Sequence, residues 1–174
     1  FQWHWLGNLQ FSLGLLPKFL ADMEVLVHDP NLAASHNSGR LRPLFACFST
    51  VLQIMASGVA ERNNLRELVV GPLEALAPQL LRCASVIASK IGWSERMEEA
   101  SRCLVLLAEI LQERFAKFYA MFVDVLAQSL DNASSLQLVV ALKTNLQVLS
   151  LQNLGLHSAA VEHLLEFSSL LSRL

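Results

Sequence analysis

The longest helical stretch in the chain, Glu95 to Leu130, covers 36 residues. Ser94 stands before it as an N-cap and Asp131-Asn132 closes it. A straight helix of that length spans about 54 Å, and at that length a single break is expected near Glu113 to Ala116. Strand signals are weak throughout: there is one Tyr, β-branched residues are few, and no segment alternates cleanly over six residues. Leu, Ala, Gln, Glu and Ser dominate, several of them good helix formers. The chain is therefore expected to be all-α.

About seven helices are expected. The first covers Trp3 to Leu16, and Pro17 ends or kinks it because proline lacks a donor and its ring clashes with the preceding turn. A second runs from Pro17 to His28. Residues 29–40, "DPNLAASHNSGR", carry the strongest loop signal. A third helix covers Leu41 to Ser57, with Leu44, Phe48, Val51 and Met55 on one face, and Gly58 ends it. A short helix over Glu61 to Val70 and another over Pro72 to Ile91 are separated by Gly71-Pro72, with Pro78 bending the latter. After the long stretch come helices over Ser134 to Gln152 and Ser158 to Leu174. The 174 residues suit a single all-α domain, 1–174, with the loop 29–40 setting off its N-terminal helices.

Helices of this length, with Leu/Ala/Val-rich faces and proline-marked starts at Pro17, Pro43 and Pro72, resemble a HEAT- or armadillo-like helical repeat segment. The resemblance implies antiparallel helical hairpins stacked as an α-solenoid. An irregular helical bundle meets the same pattern.

Composition narrows the function classes. Hydrophobic residues are 53% and charged residues 16%, against about 25% charged in ordinary soluble domains. Uninterrupted apolar runs such as Cys103–Ala108 fall far below the ~18 residues of a membrane span, so no transmembrane segment is expected. The 13 basic residues are scattered among 15 acidic ones, which argues against direct nucleic-acid binding. Three dispersed cysteines, Cys47, Cys83 and Cys103, read as small core hydrophobes of a reducing compartment. An intracellular location, cytoplasmic or nuclear, is expected.

No catalytic motif emerges. The histidines His4, His28, His36, His157 and His163 lack metal-ligand spacing. No Gly-x-Ser-x-Gly elbow and no phosphate-cradling glycine loop is present. Glu98-Glu99 fall near a helix start, where they complement the dipole. The expectation is a non-enzyme with no cofactor and no metal.

Two segments draw attention. "FQWHW" opens the chain with Phe1, Trp3 and Trp5, an apolar start that points to a chain excised from a longer protein or to a partner contact. "ERFAKFYAMFVDVL", residues 113–126, places Phe115, Phe118, Phe122 and Val125 on one face, with Tyr119 and Met121 on the flanks. Trp3, Trp5, Tyr119 and Met121 are thus the candidate partner-binding residues. The function expected is a protein–protein interaction scaffold or adaptor that binds an amphipathic helix or peptide, self-associates, and helps assemble a larger complex. A helical bundle carrying a hydrophobic small molecule or lipid is the alternative.

Overall fold

The computed structural model describes residues 2–30, 37–61, 65–91 and 98–128. Five α-helices and a 3₁₀ segment make up almost all of them. They are α1 (Gln2–Val27), α2 (Asn37–Glu61), α3 (Arg66–Ile91), α4 (Glu98–Leu111), the 3₁₀ segment Gln112–Phe118 and α5 (Tyr119–Gln128). No strand occurs among the described residues. The all-α fold class is therefore seen directly, while the two helices expected beyond residue 134 lie outside the described residues.

The expected boundaries differ in a consistent way. Pro17 does not end a helix; it lies inside α1. Pro43 lies inside α2, which begins at Asn37 within the expected loop and runs through Gly58 to Glu61. Gly71-Pro72 and Pro78 all lie inside α3. Each proline leaves the carbonyl four residues earlier without its helical donor. Pro17, Pro43 and Pro72 are exposed and Pro78 is half-buried, so the freed carbonyls sit towards water. On the inward faces of the same helices, Leu16 and Leu20, Leu41 and Phe45, and Val70 and Leu73 are fully buried. Burying such side chains is worth about 1.5–3 kcal/mol each, enough to carry a helix past a proline that costs about 3 kcal/mol.

The break in the long stretch is real and sharper than a bend. α4 starts with Glu98 and Glu99 in its first turn, where they favour the dipole, and ends at Leu111. Gln112 then has φ 48°, a left-handed conformation that commonly terminates helices but is usually reserved for glycine or asparagine. Beyond it the chain turns back along α3. Arg66 pairs with Glu113 (3.2 Å), while Arg114 reaches both Glu67 (2.8 Å) and Glu74 (3.4 Å). Lys117 also pairs with Glu74. α5 continues against α3.

Helices pair in an alternating order: α1 with α2 and α3, α2 with α4, and α3 with α4 and α5. α2 and α4 run in the same direction. Midway along α2 Ser49 meets Glu99 in the first turn of α4 (3.4 Å), and further along both helices Ala56, Val59 and Ala60 face Glu109, Ile110 and Gln112 across a groove of about 230 Å³. The buried Cys103 thiol donates to the Phe45 carbonyl (3.3 Å) in the same seam. One contiguous core fills the interior, running from Leu9 through Phe45, Leu73 and Leu104 to Val125.

α2 also contains a 22-residue stretch, Gly39–Ala60, long and apolar enough to cross a membrane; its 18-residue window has mean hydropathy 1.6 and is 44% buried within the fold. Uninterrupted runs overlooked it because single polar residues such as Ser49 and Gln53 break the run without lowering the average much. Its buried side packs on α1 and α4.

The left-handed backbone at Gln112 reverses the usual helix rule. In a helix interior Gly is about 1 kcal/mol worse than Ala; at φ 48° a Cβ is the liability. Gln112→Gly is expected to be more stable than Gln112→Ala by about 1 kcal/mol, read from urea unfolding midpoints. Ala above Gly would mean a continuous helix at this position.

Candidate functional site

The expected partner-facing residues separate once placed. Trp3 and Trp5 belong to α1, but their side chains lie outside the described set. Tyr119 is not on a flank: it is 1% exposed, and its ring stands edge-on to Phe115 at 5.9 Å. Met121 is half-buried and packs on the core. Counting about 100° per residue from 115 to 125 puts Tyr119 on a flank, whereas in the fold its ring is buried. The 3₁₀ segment advances about 120° per residue, and the turn at Gln112 lays this aromatic arc against α3.

Phe115 is the hub of that arc. Phe122 lies 5.4 Å away with planes at 82°, Tyr119 at 72°, and Phe118 6.2 Å away at 58°. Edge-to-face pairs of this kind add about 0.5–1.5 kcal/mol each beyond the area they bury. Burial pushes the Tyr119 phenol well above its ordinary value, so it stays neutral. Lys117 sits 5.5 Å over the Phe118 ring and, with the ion pairs to Glu67 and Glu74, closes the outer side. Those pairs are partly exposed, and each is worth no more than about 1 kcal/mol.

The surface that helical spacing did not single out is the outer face of α1. This helix is predominantly apolar and poor in charge, with Lys18, Asp22 and Glu24 its only acidic or basic residues other than His4 and with Asn8 and Gln10 as uncharged polar positions on its exposed side. Helices of that composition are normally enclosed on all sides. Leu9, Leu16, Leu20, Met23 and Val27 are indeed buried, but Phe11 is 69% and Val25 75% exposed. Gly7, Phe11, Gly14, Lys18, Ala21 and Val25 follow one another at spacings of four and three, and all are exposed. A Cβ added at Gly7 or Gly14 meets nothing within 4 Å, so neither glycine is required by the fold. At the far end, Val25 opens into a groove of about 390 Å³ between α1 and α2, lined also by Asp22, Leu26, Arg40, Pro43 and Leu44. A signal was present in the sequence, namely the scarcity of charged residues along α1, but a search for aromatic stripes passes over it.

A second groove, about 230 Å³, lies between α1 and α3 and brings Glu24, His28, Arg82 and Cys83 to one wall. The Cys83 thiol is pushed up to about 12, first by burial and then by Glu24, with Arg82 opposing. Burial likewise raises Cys103 well above the ordinary range, with Glu99 adding to it. Both stay protonated at neutral pH, whereas thiol nucleophiles act as thiolates. Among the described residues, no three His, Cys, Asp or Glu side chains come together as a metal site.

No family model, curated protein or solved structure matches the chain.

Two outcomes follow from this packing. Phe118→Ala, Tyr119→Ala and Phe122→Ala should each cost about 3–5 kcal/mol, and Met121→Ala clearly less, measured by thermal or urea unfolding. Tyr119→Ala melting like the wild type would place its ring outside the core. At pH 8 a thiol reagent should modify the exposed Cys47 quickly in the native protein. Cys83, at about 12, should react at least about 10³-fold more slowly than an ordinary thiol, with mass spectrometry locating the adduct.

Proposed function

We propose that this chain is a non-enzymatic scaffold domain that binds a partner protein along the outer face of α1. The observation that carries the reading is the mismatch between composition and exposure: a helix with only three charged side chains, Lys18, Asp22 and Glu24, leaves Phe11 and Val25 open to water. Solvent gains nothing from such a face, while a second apolar helix would bury it. The glycines at positions 7 and 14, with open space above them, would let that helix approach closely. Asp22 and Arg40 at the groove mouth would fix its register through polar contacts at the rim.

The helix order supports a stacked-hairpin arrangement of the HEAT/armadillo kind. α1 and α3 with α5 form one layer, α2 and α4 the other, and α2 and α4 run in parallel, as equivalent helices of successive hairpins do. In such stacks each hairpin contacts its neighbours, and broad helical faces serve as binding surfaces. The three free cysteines suit a reducing, intracellular setting.

The test is site-specific photo-crosslinking in the full protein. A photoreactive residue at position 11 or 25 should capture one partner protein in stoichiometric yield, and one at the exposed Glu109 should not. Phe11→Ala and Val25→Ala should leave stability within about 0.5 kcal/mol and weaken that partner by about 2 kcal/mol or more. Equal capture from positions 11 and 109, or unchanged affinity in both alanine variants, would refute the reading.

A further inference from the structure

We infer that the 3₁₀ segment and α5 form an exchangeable arm, and that the partner the α3 surface fits besides its own arm is the arm of a second copy of this chain. The arm begins at Gln112, where a residue with a Cβ is held at φ 48°. Nothing in the local sequence asks for that turn: from Glu95 to Leu130 there is neither glycine nor proline, and residues on both sides are helical. Local preference therefore favours one continuous helix through Gln112, while docking on α3 enforces the reversal.

The arm's attachments lie on α3. Arg66 holds Glu113, Glu67 and Glu74 hold Arg114, and Glu74 also holds Lys117. α5 packs on α3 and on the 3₁₀ segment that precedes it, with no comparable seam against α1 or α2. If Gln112 relaxes to a helical conformation, the arm swings away as a straight extension of α4. Two such chains can then place each arm on the other's α3. Every arm–α3 contact is recovered, the left-handed residue disappears from both chains, and helical hydrogen bonds form across both hinges. Such exchange through a strained hinge is a low-cost route to a dimer. Closure within one chain needs no partner, so the closed monomer prevails when dilute and the exchanged dimer grows with concentration.

Charge reversal gives a test that an ordinary side-by-side dimer cannot imitate. In one variant Glu67→Lys and Glu74→Lys make α3 repel its own arm; in the other Arg114→Glu and Lys117→Glu make the arm repel its own α3. Exchange between the two variants restores opposite charges at both docking sites. The equimolar mixture is expected to sediment as a 1:1 dimer at concentrations where each variant alone is monomeric. A mixture that remains monomeric, or a dimer equally abundant in each variant alone, overturns the proposal. Should either variant fail to fold by circular dichroism, the hinge itself decides. Gln112→Ala strains the turn and favours the continuous helix, whereas Gln112→Gly does the reverse. The dimer dissociation constant of Gln112→Ala is expected to be lower by at least about tenfold. Equal constants, or tighter association of Gln112→Gly, would also overturn it.

Discussion

Phe115 holds the second half of this fold in place. It is fully buried, one turn past a backbone reversal, with three aromatic rings packed around it within 6.2 Å. The left-handed residue at Gln112 costs about 1–2 kcal/mol and the 3₁₀ turns have poorer hydrogen bonds than α-helix. Burial of Phe115, Phe118, Tyr119 and Phe122 against α3 outweighs both. The ion pairs on the outer side set which part of α3 the arm lies against, but they are too exposed to supply the energy.

The same contest between local preference and packing explains what was legible in the sequence. The all-helical class was readable because apolar residues recur at helical spacing and strand formers are few. A break near 113–116 was readable from length alone, since 36 residues of straight helix would span about 54 Å. The prolines misled. Pro17, Pro43 and Pro72 carry strong local stop signals, yet each is exposed on a helix whose inward face is buried. Burial is a property of the assembled helices and is invisible in a window of ten residues. The sense of the break was hidden too, since a reversal at Gln112 without glycine has no local signature.

The candidate surface was only partly legible. Tyr119 and Met121 were sought as flanks of a stripe, and the 3₁₀ segment turned Tyr119 inward. Between residues 7 and 25 the outer face of α1 was overlooked because it carries one aromatic residue, Phe11, and two glycines rather than a conspicuous cluster. What marks it is the contrast between an apolar helix and an uncovered side, and that contrast requires knowing which side is covered. The apolar excess noted in the composition thus has a location: much of it is enclosed by the layers, and part of the remainder lies along α1.

The central claim is that the chain reverses at Gln112 and lays α5 back along α3. Arg102 and Asp124 are both exposed, one on α4 and one on α5. A straight helix would separate them by about 33 Å. Spin labels at these two positions, with the native cysteines replaced, allow the separation to be measured by pulsed electron resonance in dilute solution. A single distance well below 33 Å is predicted. A distance at or above that value in the dilute monomer would show one continuous helix through Gln112 and would contradict the account.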